Sequence, residues 1–544
     1  MSFLWNSPFS PLLLLTGGAF LLLGLGHRLD ARLRYWLPAA AAGLAWLAWL
    51  LLRLRPEGLG STWSWTAPLG LTTTVTFQLH GWAWLAGLCV TVVAFVAVNL
   101  PGWRQRPGFS DPRAWVLLLA ACALLIALAG NWLALLSAWA LLGAVTGLVA
   151  GPEAKGAASA WAVGILSTLL LLLVPLFNGG ASLTTAIEGQ HLNSQAQLLL
   201  ILAAVIPLAA YPFHVWLAPH VQRSPGRQLA VHILPAIAAL YLLGRFSLPL
   251  LASQAWAPLL IVALLGSALA TWSDRDDRRA WSFVLINRST WALLAFSLAQ
   301  LPPPEGAVFP LLALALGSAL WALARVAKQQ RGWSWPMWLA VAVLYGLPLT
   351  PGFALNLAVG QLAGRFIGVP GWALVLLAQT LLVAYFLLRR LPEADEPVRS
   401  PDTPLAFAPR AFLLALGLCL VLVVRYGLLP ITLSQSLGRP ESDLFAGVAG
   451  PIRSAGLSAW LTLLIPLLPG VALAVYDERL FGALRGWQDN TAAVARLDWL
   501  YAGGGRLLRY ASVYTGYLAD LIDGAGQFGW VLLAILVAWY LLRG

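Results

Sequence analysis

The sequence predicts an all-α, polytopic membrane protein of about 16 transmembrane helices, since one bilayer crossing takes roughly 20 apolar residues and such runs recur along the chain. Three observations carry this expectation. The 544 residues are 60% hydrophobic and only 10% charged, with a mean hydropathy of +0.79, far more apolar than a soluble domain tolerates. Short loops containing Gly, Pro and Arg separate the apolar runs. Basic residues accumulate in every second loop, as they must if the spans are counted correctly.

In chain order the spans are expected at residues 11–26, 37–54, 82–100, 115–129, 132–150, 161–177, 198–216 and 229–246. They continue at 256–272, 281–298, 308–326, 338–363, 372–388, 411–429, 457–475 and 528–542. The basic loops hold Arg28, Arg32 and Arg34; Arg104, Arg106 and Arg113; Lys155; Arg223 and Arg227; Arg275, Arg278 and Arg279; Arg325, Lys328 and Arg331; and Arg389, Arg390 and Arg399. Alternate loops are poorer, with Arg53, Arg55 and Arg245 blurring the contrast. Both termini are therefore expected outside and residues 477–526 on the cytoplasmic side. No basic region precedes the first apolar stretch, so 11–26 reads as a retained span and not a cleaved signal peptide.

The polar segment near the end mixes Asp477, Glu478, Arg485, Arg496, Arg506 and Arg509 with Leu, Trp and Tyr. It reads as an amphipathic stretch along the membrane surface or as a cytoplasmic loop with short helices. Gly503, Gly504 and Gly505 should divide it into at least two helices. Several chemistries are excluded. Cys89, Cys122 and Cys419 lie far apart in apolar runs, with no metal, cluster or disulfide spacing. The net charge of +12 comes from short loops between spans, which argues topology and against nucleic-acid binding.

Prolines interrupt two spans, Pro207 and Pro212 in the seventh and Pro348 and Pro351, with Gly352, in the twelfth. In lipid a freed backbone carbonyl is tolerated only where protein or water covers it, so such breaks line cavities. An offset of five spans turns the second copy upside down, the pattern of inverted repeats. The organisation expected is 1–110 for helices 1–3, 111–250 for a first repeat of helices 4–8, and 251–392 for an inverted repeat of helices 9–13. Helices 14–15 follow at 393–476, a lateral segment at 477–527 and a final helix at 528–544.

The run from Tyr211 through Pro212, Phe213, His214, Val215, Trp216, Leu217, Ala218 and Pro219 to His220 closes the seventh span. With it the chain resembles the antiporter-like membrane subunits of respiratory complex I, the L, M and N type of NADH-quinone oxidoreductase chains. These subunits also occur in membrane-bound hydrogenases, multi-subunit (Mrp-type) cation/proton antiporters and inorganic-carbon uptake complexes. Phe77 to Gly81 stands where the family has Asp-Gly before its third span, and Gly130, Asn131 and Trp139 resemble its fifth helix. Asp276, Asp277, Arg278 and Arg279 resemble the start of the tenth, and Gly346 to Phe353 the broken twelfth.

The resemblance implies a midplane row of proton-carrying groups: a glutamate on the fifth helix, lysines on the seventh and on the eighth or eleventh, and a lysine or glutamate on the twelfth. Here those positions fall at Ala140, Pro207, Ile237, Ser318 and Asn356, none of which titrates, whereas a relay needs groups that change charge inside the bilayer. Both lysines, Lys155 and Lys328, are expected in loops. The chain therefore reads as a degenerate member that keeps the scaffold and has lost or rerouted ion transfer.

Few polar groups remain inside spans. His214 belongs to the motif and is read first as packing or capping, second as a relay. His232, where the family also has a histidine, is read first as a neutral imidazole bonded to the backbone. Arg288, beside Asn287 in the tenth span, would cost several kcal/mol facing lipid. It must meet a carbonyl, a carboxylate, water or an anion. Arg425 can snorkel. No catalytic residue, metal or cofactor is expected. The expected role is a structural or coupling subunit of the membrane arm of a complex I-like proton-translocating assembly in a prokaryotic plasma membrane, with other membrane subunits as partners. The alternative is an ion-coupled transporter subunit, such as the membrane half of an inorganic-carbon uptake system.

Overall fold

In hydrocarbon each backbone N–H must find its acceptor within its own segment, so apolar runs of this length fold as helices. The computed structural model describes residues 7–53, 60–66, 72–103, 111–150, 154–179, 182–214, 216–217, 224–253, 255–274, 276–298, 304–360, 368–388, 408–437, 450–476 and 485–523. The chain divides into two units, Met1–Arg485 and Gly486–Gly544.

The first unit begins with α1 (Ser10–Leu25) and α2 (Ala31–Leu52), followed by strands β1 (Gly60–Thr66) and β2 (Thr72–Gln78). Then come α3 (Gly81–Asn99), α4 (Pro112–Leu128), α5 (Trp132–Ala150), α6 (Ala154–Phe177), α7 (Ser194–Leu208) and α8 (Pro225–Leu243). The second half holds α9 (Trp256–Ser273), α10 (Asp277–Leu298), α11 (Glu305–Arg331), α12 (Trp335–Tyr345), α13 (Phe353–Gly360) and α14 (Gly368–Leu388). It closes with α15 (Ala408–Leu428), α16 (Ile431–Leu437), α17 (Gly450–Arg453), α18 (Leu457–Leu464) and α19 (Leu467–Val475).

Among the described residues, ten stretches are long and apolar enough to cross a membrane. Four shorter apolar helices and the more polar α10 complete the first fifteen expected spans. The expected span at 528–542 and the loop arginines at 104, 106, 223, 275, 389, 390 and 399 lie outside the described residues. Burial sorts the helices. The apolar windows of α11 and α3 are 100% and 94% buried, whereas that of α6 is 28% buried. The first two are the centre of the bundle and the last turns its surface outward to lipid or a partner.

Two corrections concern helix ends. Apolar windows stop at the first charge, but helices need not: a cation favours a C-terminal turn, and in an N-terminal turn it costs only about 0.3–1 kcal/mol. Thus α11 runs on through Arg325, Lys328 and Arg331, and α6 starts before Lys155. Both lysines sit in terminal helical turns, not in loops. From its second residue on, α20 (Arg485–Ala495) belongs to the second unit, as does α21 (Asp498–Asp523), which passes unbroken through Gly503, Gly504 and Gly505. Glycine weakens a helix by about 1 kcal/mol but keeps its N–H, so it need not end one. The interruption lies instead at Leu497, whose φ is 60°. Trp499, Tyr510 and Tyr514 are exposed at helical spacing along α21, the apolar stripe of an amphipathic helix.

The hairpin is an addition to the all-α expectation. Its strands pair antiparallel, Gly60 opposite Gln78 and Thr66 opposite Thr72. It is anchored by Asn131, whose Oδ1 accepts from Ala134 N (3.0 Å) as the cap of α5 while its Nδ2 donates to Thr74 O (2.6 Å). Directly after β2, His80 caps α3 where the resembled family has aspartate: its Nδ1 accepts from Ala83 N at 3.2 Å. Its Nε2 lies 3.2 Å from the Tyr241 hydroxyl, which itself donates to Ala127 O at 2.7 Å. An imidazole that accepts on Nδ1 must be neutral.

Burial, and then the Arg245 cation, lowers the His80 pKa to about 3. Glu188, 3.6 Å away, pulls the other way but its side chain is 54% exposed. Because the folded state resists a proton that the unfolded chain accepts near the ordinary histidine value of 6.5, stability is full above that pH and falls as acid is added. Melting of the purified protein is expected to show His80 losing about 1–2 kcal/mol between pH 7 and pH 5. His80→Asn, which keeps a capping oxygen, should remove that part of the acid sensitivity; an unchanged slope would contradict the assignment.

Candidate functional site: a buried polar belt between two helix breaks

Each half of the first unit contains one helix that stops inside the bundle. In α7, Pro207 has no N–H, which orphans the carbonyl four residues earlier, that of Ala203. Ser167 on α6 meets it: its Oγ donates to Ala203 O at 2.7 Å and accepts from Trp139 Nε1 at 2.8 Å. Past Leu208 the chain turns through Ala209 at a φ of 53°, and Trp216 Nε1 donates to Ile206 O at 3.0 Å. Pro212 lies in this turn; Val215 and residues 218–223, including His220, lie outside the described residues.

The second break separates α12 from α13 at residues 346–352, where Pro348, Pro351 and Gly352 place it in the sequence. Its orphan carbonyls are shared between two side chains. Asn356 Nδ2 donates to Gly346 O at 2.8 Å and, more distantly, Tyr345 O at 3.4 Å. Arg288 Nη1 donates to Leu344 O at 2.9 Å. Gly346 has a φ of +86°, and a Cβ there would lie 2.8 Å from Asn356 Nδ2. The left-handed turn and the cap both require glycine.

Four consecutive polar residues of α10, Asn287 to Thr290, are buried and reach four directions around the helix. Asn287 Nδ2 donates to Leu264 O (2.9 Å) and Ser267 Oγ (3.0 Å) on α9. Arg288 turns to the second break. Ser289 Oγ lies 3.3 Å from His232 Nε2 on α8, and Thr290 Oγ1 accepts from Tyr211 N, at the first break, at 3.1 Å. One turn of one helix therefore ties both breaks together. The motif tyrosine stacks on His214 at 5.1 Å, His214 meets Phe283 edge-on at 5.3 Å, and Gly266 of α9 leaves room for the Tyr211 ring, which an added Cβ would meet at 2.8 Å.

Arg288 is 3% exposed and its guanidinium is held by neutral oxygens: Asn287 Oδ1 (3.1 Å to Nε, 2.6 Å to Nη2), Leu344 O and Gln379 Oε1 (3.2 Å). The Trp291 ring covers it at 5.4 Å. Other buried charges among the described residues, Asp111, Arg113, Asp274 and Glu305, lie at helix ends. Of these described charges, Arg288 alone sits mid-helix. An arginine only donates hydrogen bonds, and these bonds order the belt around it.

The five positions that the resemblance marks for proton carriers differ in their surroundings. Ala140 is exposed on the outer side of α5, Pro207 is half-buried, Ile237 and Ser318 are buried, and Asn356 is taken up as a cap. Beside Pro207 lies a small cavity whose lining includes Trp139, Thr146, Ser167, Trp216 and Pro235. Its hydroxyls are bonded inward, Thr146 to Leu142 O and Ser167 to Ala203 O. Sequence reasoning singles out Asn287, Arg288, His214, His232 and Asn356, and misses Ser167, Ser289, Thr290 and Gln379. Gln379 carries a signal, an amide in an apolar span; the hydroxyls carry none.

This is the fold of the antiporter-like membrane subunits. The chain matches a chain of the Mrp complex from Dietzia sp. DQ12-45-1b with a TM-score of 0.76 at 20% identity, over 98% of its own length and 62% of the other's. In sequence it is 28% identical over 269 residues to NADH-quinone oxidoreductase subunit N 2 of Solidesulfovibrio magneticus, covering 45% of this chain and 55% of the relative. It is also 26% identical over 212 residues to a probable K(+)/H(+) antiporter subunit of Rhizobium meliloti, covering 35% of this chain and 21% of the relative. The chain thus spans about half the length of the first relative and a fifth of the second. No family model matches it.

The capping account of the first break has a specific test. Ser167→Ala should cost about 1–3 kcal/mol by leaving Ala203 O without a donor. In a Pro207→Ala background, where residue 207 regains an N–H for that carbonyl, the same change should cost less, the remainder being the lost acceptor of Trp139 Nε1. A double-mutant cycle by thermal unfolding measures the difference; equal costs would show that Ser167 acts through something other than the break.

Proposed function

We propose that the chain is a membrane-arm subunit of a complex I-like or related energy-converting assembly, with a structural or coupling role and no proton wire of its own. The observation that supports this best is the fate of the relay positions: Ala140, Pro207, Ile237, Ser318 and Asn356 hold no titratable group. Asn356, moreover, is committed to closing a helix end. A fixed Arg288 at mid-membrane adds a positive barrier to any cation crossing there. Electron transfer resides, on this reading, in partner subunits, and the similarity to a quinone oxidoreductase subunit supports that setting.

The same reading takes the two broken halves, residues 111–250 and 251–392, as inverted copies. It puts both termini on the outer face of a prokaryotic plasma membrane and lays the amphipathic α21 along the cytoplasmic one. A second reading, an ion-coupled transporter subunit of the cation/proton antiporter or inorganic-carbon uptake kind, is supported by the sequence similarity to a probable K(+)/H(+) antiporter subunit.

Tagged protein purified in mild detergent should bring other membrane subunits with it, and oxidoreductase subunits among them separate the first reading from the second. Reconstituted alone in liposomes, it should pass protons, sodium and potassium no faster than empty vesicles. A flux that depends on the chain would overturn the proposal and favour the second reading.

A further inference from the structure

Arg288 and Gln379, bonded to each other, each leave a donor unpaired, and among the described residues no carboxylate balances the sealed cation. The guanidinium has five N–H groups; four bonds to Asn287, Leu344 and Gln379 are formed, so one N–H on Nη1 has no acceptor among the described residues. Because arginine only donates, the Gln379 amide must turn its Oε1 toward it. That leaves Gln379 Nε2, on a side chain 2% exposed, with no partner among the described residues. Among the described residues no carboxylate forms an ion pair with Arg288.

We propose that these donors form a binding site for a small monovalent anion, a halide such as chloride, between α10 and α14. A buried charge is stable when paired and fully hydrogen-bonded, and here every unpaired group is a donor and the net charge is positive. A halide accepts several N–H donors without imposing the planar geometry of an oxyanion. Both side chains are sealed, Arg288 at 3% and Gln379 at 2% exposure, so a carboxylate from another chain cannot enter. Trp291 covers the guanidinium face and directs any ligand to its edge. The site does not depend on the proposed role: its anion would be structural whether or not ions are transported.

The full-length protein, melted in detergent at constant ionic strength, should be stabilised saturably by chloride and bromide but not by gluconate. Crystals grown in bromide should show its anomalous signal beside Arg288. Arg288→Gln also abandons Leu344 O and so confounds folding with binding; two changes at Gln379 complete the test. Gln379→Leu should raise the half-saturating halide concentration about tenfold. Gln379→Glu, which builds an anion into the site, should be as stable in gluconate as the wild type is in chloride, and indifferent to halide. Equal melting of the wild type in bromide and gluconate, or an undiminished halide response in Gln379→Glu, would overturn the proposal.

Discussion

A carbonyl that loses its helical partner inside a bilayer has no water to turn to, and each such group left bare costs several kcal/mol. The chain stops two helices inside its bundle, and the surrounding structure is arranged to supply donors at those two places. Ser167 and Trp216 serve the first, Asn356 and Arg288 the second. That requirement also explains why the run of four buried polar residues on α10, Asn287 to Thr290, lies where it can reach both.

A scaffold inherited for moving protons and one kept for its shape can look alike at the level of helices. They differ in what the side chains at the breaks do. In a relay, the group beside a break must be free to gain and lose charge. Here Asn356 holds two carbonyls, and the charge near it is a guanidinium bonded to neutral oxygens. On the proposed reading the breaks are kept as capped helix ends, and the relay that the resemblance implies for them is not.

The spans are legible because bilayer thickness imposes a length on apolar runs, and the breaks because proline cannot donate. Helix ends read short where charged terminal turns continue past the apolar window, as at Lys155 and Lys328. The hairpin escapes a sequence reading although Thr72 to Gln78 is rich in β-branched residues, because it sits between spans that dominate the pattern. Gly503 to Gly505 suggest a stop that the helix does not make. At the site, Arg288 and Asn287 stand out by the cost of burying them. Ser167, Ser289 and Thr290 do not, since hydroxyls are common in membrane helices and only tertiary contact reveals which carbonyl they serve.

The ring of α10 contacts also bears on motion. A helix whose successive side chains grip α9, the end of α12, α8 and the Tyr211 backbone cannot rotate by even a fraction of a turn without releasing several bonds at once. Any displacement at one break is then handed to the other as a rigid movement of α10. Were the chain to work inside a larger membrane assembly, as proposed, that stiffness would let a mechanical impulse cross it from one neighbour to the next.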